Sequence, residues 1–300
     1  MIYIHIPFCN SFCTYCDFYS EVASTCRKGS VEDFVEALEA EIVESAQNPF
    51  SRTAGLGQPQ TLYIGGGTPS VLPLSAFRRI LTALRANGFV PSSSSRSEAA
   101  ASPATAAWDE FTVEVNPEDI VEKGEAFVEG LLVLGVTRIS MGVQSFDDRI
   151  LKWMNRRHNA ERAVKAYAIL ENAGMENISI DLIYGMPQLT MKGWQETLDR
   201  ALNISSRGRK PAHISSYQLS IEPGSALARL MASGRFSEAG EELCSAQYRQ
   251  LCETLSAAGY HHYEISNFAL PGWEALHNSA YWDKVPYIGL GPGAHSYVIV

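Results

Sequence analysis

The sequence predicts an α/β protein built on a largely parallel sheet, on two observations. Six short apolar or β-branched runs recur along the chain, at Ile2–Ile6, Thr61–Ile64, Phe111–Val115, Arg138–Val143, Ile178–Tyr184 and His213–Ser220. Between them lie segments of helical periodicity, over 31–46, 73–87, 118–134, 159–173 and 191–204. Strands that alternate with helices pair in parallel, because a parallel neighbour requires a crossover long enough to hold a helix. Periodicity leaves open whether the sheet is doubly wound or curled into a partial barrel.

The elements carry local punctuation. Ser30 precedes the first helix with Asp33 three residues on, the pattern of a capped N-terminus, and Pro73 opens the second. Gly88, Gly135 and Gly174 follow helix ends, where a residue without Cβ turns the chain at little cost. After Ser220 the pattern changes to a helix near 238–258 and a Gly- and aromatic-rich tail from Gly259. Two stretches depart from the repeat. Residues 91–107 (PSSSSRSEAAASPATAA) are low in complexity and read as a disordered surface insertion, and Ser205–Pro211 reads as a solvated basic loop. The expected organisation is a core over 1–222, interrupted by the insertion at 90–108, and the beginning of a C-terminal region over 223–300. That region is expected to be incomplete, since GLGPGAHSYVIV reads as a strand entering something.

Composition narrows the class. Hydrophobic residues make up 46% and charged residues 19%, which fits a folded core and excludes a disordered or fibrous chain. The 24 Lys+Arg against 33 Asp+Glu give −9 with no basic run, the wrong sign for a nucleic-acid binder. No apolar stretch approaches the roughly 18–20 residues of a transmembrane helix, and the N-terminus lacks the form of a signal peptide. The expected location is the cytoplasm, or an organelle if a leader precedes Met1.

Three of the six cysteines, Cys9, Cys13 and Cys16, fall within HIPFCNSFCTYCDFYS, residues 5–20. In a reducing compartment such a cluster points to a metal or cofactor rather than a disulfide. Three thiolates at C-x3-C-x2-C after a strand can hold three irons of a four-iron cluster and leave the fourth open to a ligand. The alternatives are a zinc site completed by His5, or chance; zinc ranks lower because its ligands usually come as two separated pairs. Tyr15 and Phe18 are placed to shield a cluster from water. Cys26, Cys244 and Cys252 are scattered, the last two as small residues of a helix.

Further along, Gly65-Gly66-Gly67-Thr68 follows the second strand and lets backbone groups approach a ligand closely; without a following Lys it is not a nucleotide P-loop. Glu114, Gln144 and Asp181 lie in or at the ends of three consecutive strands. Singly each reads as a buried, satisfied polar group; together they point to a shared ligand. Arg156 offers a planar fork to a carboxylate, with Arg157 as the competing candidate.

The segments YIHIPFC-x3-C-x-YCDF, YIGGGTPS, VEVNPE, RISMGVQSF, NRRH, IDLIYGMP, SYQLSIEPG and HNSAYWD occur in this order over nearly the whole chain. With them the chain resembles the radical S-adenosylmethionine (SAM) enzymes, in the coproporphyrinogen III dehydrogenase-like branch. The resemblance implies a six-stranded partial (β/α) barrel with its sites at the C-terminal strand ends. It also implies a 4Fe-4S cluster on Cys9, Cys13 and Cys16, fed by an electron donor. SAM would then contact Tyr3, Tyr15, Gly66, Gly67, Thr68, Glu114, Gln144, Arg156 and Asp181. No catalytic side chain is assigned, and His5 is expected to be a hydrogen-bonded strand residue.

Within that branch, dehydrogenases carry a further Cys two places after the third and an N-terminal arm before the first strand. Here Phe18 stands at that position and the first strand begins at residue 2, as in HemW-like haem chaperones. His277-Asn278-Ser279-Ala280-Tyr281-Trp282 matches the H-N-x-x-Y-W element that the resemblance associates with haem. His277 is the candidate axial ligand, and the plain alternative is a packed interior histidine. His261, His262 and His295 are rival ligands, and His295 is also a candidate to approach the SAM site. The expected function is a haem chaperone that binds haem and a SAM-ligated cluster and passes haem to an acceptor protein. The alternatives are an oxygen-independent coproporphyrinogen III oxidase and a zinc-stabilised binding module.

Overall fold

The computed structural model describes residues 1–27, 29–51, 58–90 and 108–299. Its strands are β1 (Ile2–Ile6), β2 (Phe8–Cys9), β3 (Glu21–Val22), β4 (Thr61–Gly66), β5 (Glu110–Val115), β6 (Arg138–Gln144), β7 (Ile178–Tyr184), β8 (His213–Gln218), β9 (His261–Glu264), β10 (Asn267–Ala269) and β11 (Ile288–Leu290). Its helices are α1 (Ser30–Gln47), α2 (Leu74–Ala86), α3 (Pro117–Val133), α4 (Asp148–Trp153), α5 (Ala160–Asn172), α6 (Met191–Leu202), α7 (Ala226–Ala232), α8 (Glu241–Ala257) and α9 (Leu276–Trp282).

Among the described residues the main sheet runs β11-β1-β4-β5-β6-β7-β8-β10-β9. From β1 to β8 every pairing is parallel. Chain order and spatial order coincide over these six strands, whereas a doubly wound sheet reverses at a switch point. Right-handed crossovers taken always in the same direction put the helices on one face, and the sheet curls around the other. This is the winding of a partial (β/α) barrel, as expected.

The two faces of the strands differ chemically. On β6, Ile139, Met141 and Val143 are fully buried on the outer face, while the alternating Arg138, Ser140, Gly142 and Gln144 line an interior cavity. On β7, Ile180 and Leu182 point outward, and Asp181 and Ile183 point inward. The outer face therefore supplies the hydrophobic core with the helices, at about 1.5–3 kcal/mol per fully buried aliphatic side chain. The inner face is left free for polar chemistry.

Strands from 223–300 extend this sheet at both edges. β11 pairs in parallel with β1, Ile2 opposite Ile288; β10 pairs antiparallel with β8, and β9 lies beyond it. Gly88, Gly135 and Gly174 end their helices with φ of 76°, 95° and 94°, and Pro73 precedes α2. The expected Ser30 cap does not form. Ser30 is the first helical residue, Gly29 before it takes φ 92°, and the Ser30 hydroxyl donates backwards to the Arg27 carbonyl. Of the low-complexity stretch, 91–107 lie outside the described residues.

Candidate functional site

The loop carrying the three cysteines leaves the C-terminal end of β1 and is pinned by distant parts of the chain. Thr14 N–H donates to the Met154 carbonyl at 3.1 Å, and Leu227 N–H to the Thr14 carbonyl at 3.0 Å. Asn155 Nδ2 donates to the Phe12 carbonyl at 2.7 Å, and Gly224 N–H to Asp17 Oδ2 at 3.1 Å. Cys9, Cys13 and Cys16 are all half-buried. Burial pushes the Cys9 and Cys16 thiols up, Cys16 to about 11, and the neighbouring Cys13 adds to both shifts.

Donors reach two of the sulfurs. Thr68 Oγ1 donates to Cys9 Sγ and Arg156 Nη1 to Cys13 Sγ, each at 3.5 Å. The Thr68 contact favours the Cys9 thiolate, the form that binds iron. The three thiols on one pinned loop fit a four-iron cluster.

The glycine loop after β4 is tied to this cysteine loop through its backbone. Gly67 N–H donates to the Ile6 carbonyl at 2.8 Å and Thr68 N–H to the Phe8 carbonyl at 2.7 Å. A Cβ on Gly67 would stand 2.8 Å from the Phe8 carbonyl oxygen and 3.1 Å from Cys9 Sγ. A Cβ on Gly66, whose φ is 105°, would stand 2.7 Å from the His5 ring. The glycines are thus required by the close approach of the two loops. His5 is hydrogen-bonded as expected, its Nδ1 3.1 Å from the Tyr3 hydroxyl and its Nε2 2.8 Å from the Tyr19 carbonyl.

Beside these loops lies a cavity of about 530 Å³, within the size range of small-molecule sites. Tyr15, Cys16, Gly66, Gly67 and Thr68 line it together with Glu114, Gln144, Arg156 and Asp181. The structure therefore gathers eight of the nine expected SAM residues. Tyr3 is the exception. It sits one strand aside, bonded to His5, with its ring 6.0 Å from that of Tyr63. The expectation that Phe18 shields the loop is corrected: Phe18 lines the cavity at 69% exposure, and the ring packed beside the thiols is the half-buried Tyr15.

Several polar groups of the cavity are held by hydrogen bonds. Glu114 Oε1 accepts from the Tyr63 hydroxyl at 2.7 Å and Oε2 from Gly66 N–H at 3.1 Å. Burial raises the Glu114 carboxyl to about 7, against the lowering pull of the Tyr63 hydrogen bond. Asp181 is also raised by burial, and Arg138 and the Ser140 hydroxyl, 3.0 Å from both its oxygens, oppose this. Arg156 Nη2 donates to Asn116 Oδ1 at 2.6 Å and to the Gly142 carbonyl at 2.7 Å. Its Nε is buried without a partner, which fits a ligand carboxylate. Gln144 has φ 66° at the register break between β6 and β7, a strained conformation of the kind that collects at ligand sites.

Sequence reasoning missed Asn116, which joins Thr68 to Arg156 by donating from Nδ2 to Thr68 Oγ1 at 3.0 Å. It also missed Tyr63, Arg138 and Ser140. The signal was the two-residue period: these side chains share the inward face with Gly65 and Gln144.

His277 is placed elsewhere. α9 sits at the starts of the strands, where the Glu110 carboxylate accepts from the backbone N–H groups of Leu276 (2.9 Å) and His277 (3.1 Å). The His277 side chain is buried, with Nδ1 2.6 Å from Thr61 Oγ1 and Nε2 3.0 Å from the Tyr281 hydroxyl. Burial, then the positive charges of the N-terminus and Arg138, lower it to about 3, so it is a neutral imidazole. Trp282 and Tyr281 of the same helix are 63% and 38% exposed. His261 pairs with Glu274 at 3.2 Å and His262 stacks on Phe268; neither these nor His295 line the cavity.

Comparison with known proteins places the family and the fold. The Radical SAM superfamily profile matches residues 3–201. A heme chaperone HemW from Synechocystis sp. is 36% identical over 301 residues, covering 99% of this chain and 65% of that protein. The heme chaperone HemW of Bacillus subtilis is 35% identical over 299 residues, covering 99% and 70%. Among solved structures, the coproporphyrinogen III oxidase HemN of Escherichia coli matches with a TM-score of 0.73 over 99% of this chain and 64% of that one, at 22% identity, a likeness of fold. The chain thus spans about two thirds of the length of these proteins. Among the described residues no helix is long and apolar enough to cross a membrane.

Proposed function

The chain belongs to the radical SAM superfamily and, within it, to the HemW family, and from that premise we propose that it is a haem chaperone that carries haem to an acceptor protein. Cys9, Cys13 and Cys16 would hold a four-iron cluster, whose chemistry with SAM bound is one-electron transfer to the sulfonium. The chain's own groups suit SAM. Glu114, fixed against Gly66 N–H, would take the ammonium, and the Arg156 guanidinium on the cavity wall would pair with the carboxylate. Asp181, which also lines the cavity, would accept from ribose hydroxyls.

Tyr281 and Trp282 of α9 would offer their exposed rings to a porphyrin plane. His277, whose Nε2 is bonded to the Tyr281 hydroxyl, would be the axial ligand once that bond is given up.

One observation carries this reading over the oxidase alternative. α9 is anchored at Thr61, the start of β4, and the glycine loop begins at Gly66, its end. Five residues of strand separate them by roughly 16 Å. A porphyrin held on the exposed Tyr281 and Trp282 rings would lie at the far end of β4 from the cysteine loop, although Asn278 of the same helix lines the cavity, and this separation favours cargo over a reactant. The test pairs haem binding with turnover. A variant with Cys9, Cys13 and Cys16 all replaced by Ser is expected to bind haem as the wild type does, and neither protein to consume coproporphyrinogen with SAM. Cysteine-dependent loss of coproporphyrinogen supports the oxidase instead.

A further inference from the structure

We infer that His277 is a positioning residue for the SAM cradle, acting through Tyr63 and Glu114, so that α9 and the glycine loop are mechanically joined. The naming of the two ligands rests on the function proposed above; the joint itself rests on contacts.

Three contacts fix the His277 ring: the Thr61 hydroxyl at 2.6 Å, the Tyr281 hydroxyl at 3.0 Å, and the face of Tyr63, with ring centroids 5.1 Å apart and planes tilted 35°. Tyr63 lies two residues beyond Thr61, on the same inward face of β4. Its hydroxyl donates to Glu114 Oε1 at 2.7 Å, and Glu114 Oε2 accepts from Gly66 N–H at 3.1 Å. Four groups in direct contact therefore lead from the haem-side helix to the first cradle glycine. His277 does not line the cavity, whereas Tyr63, Glu114 and Gly66 all do.

The consequence is directional. Without the His277 ring, Tyr63 loses the packing on one face and its hydroxyl is free to leave Glu114. The carboxylate then lacks one of the two donors that aim it at the cavity. His277 Nε2 also has two exclusive partners, Tyr281 or a haem iron. Drawing the ring toward iron loosens Tyr63, so haem and SAM weaken one another by the same factor, as linkage requires.

The test is SAM affinity by equilibrium dialysis on the anaerobically reconstituted protein. His277→Ala and Tyr63→Phe are each expected to weaken SAM about five- to tenfold, the scale of one hydrogen bond. The double variant is expected to be no weaker than the worse single one, because both break one path. His277→Phe keeps a ring against Tyr63 and is expected to stay within about twofold of wild type, though it cannot ligate iron.

A pH series separates positioning from mere stability. Tyr63, Gly66 N–H, Asp181 and Arg138 face Glu114. Tyr63→Phe removes only the hydroxyl that favours the carboxylate, so the pH below which SAM binding fails is expected to rise. Additive effects, or a His277→Ala protein that binds SAM as the wild type does, overturn the inference. Failure of saturable haem binding, with SAM affinity still sensitive to His277, sinks the chaperone reading and leaves the joint standing.

Discussion

The imidazole of His5 occupies the space that any side chain on Gly66 would need: a Cβ there would lie 2.7 Å from the ring. Gly66 ends β4 and His5 is the penultimate residue of the neighbouring parallel β1, where Ile6 stands opposite Gly66, and the ring is fixed by Tyr3 and the Tyr19 carbonyl. Gly66→Ala must therefore displace a held ring and adopt φ near 105°. It is expected to cost about 1–3 kcal/mol of stability and to abolish SAM binding. A denaturant melt and SAM dialysis check this; a variant with the wild-type midpoint and affinity contradicts it.

Glu114 ties function to pH. Its carboxyl is raised to about 7 by burial, above its ordinary value of 4.5. The folded state then holds the proton more tightly than the unfolded one, so this contribution to stability is fully present below about 4.5 and is lost as pH rises through about 7. Glu114→Gln cannot ionise; its single oxygen still accepts from Gly66 N–H, while its NH2 donates to the Tyr63 oxygen in place of accepting from it. The variant is expected to gain thermal stability over wild type at pH 8 and not at pH 4, while binding SAM more weakly. An equal gain at both pH values contradicts the assignment.

His277 runs the other way. Its imidazole is lowered to about 3, so the neutral form's contribution is present above about 6.5 and is lost as pH falls toward 3. His277→Phe is expected to flatten the acid side of the stability profile between those limits. An unchanged acid limb shows that His277 is not the buried neutral group described.

The cysteine loop gives a compositional prediction. Anaerobic reconstitution is expected to yield about four irons and four sulfides per chain, and replacing Cys9, Cys13 or Cys16 by Ser to abolish them. Stoichiometric zinc without sulfide contradicts this. Arg156→Lys keeps the charge but loses the fork that spans Cys13, Asn116 and Gly142. It is expected to weaken SAM binding about tenfold, the scale of one charge-assisted hydrogen bond.

Much of this was legible in the sequence, and for physical reasons. The six central strands show as apolar runs because their outer face packs against helices, as Ile139, Met141 and Val143 do. Cys9, Cys13 and Cys16 show because thiols crowd only for a purpose. The short α4 and the two-residue β2 and β3 escape periodicity because they span less than a readable repeat. Asn116 escaped because an Asn before Pro117 looks like an ordinary helix start. Only the fold shows that it bridges Thr68 and Arg156. The position of His277 escaped for a similar reason: spacing identifies the H-N-x-x-Y-W element but not which end of the barrel it closes.

The central claim is that haem is cargo on α9. Its most direct test is an anaerobic haem titration followed by absorbance, comparing wild type with His277→Phe and Trp282→Ala. The expected result is a saturable Soret shift in the wild type that weakens in both variants, while His277→Phe still binds SAM. Haem binding that is absent in the wild type, or saturable and unchanged in both variants, contradicts the account.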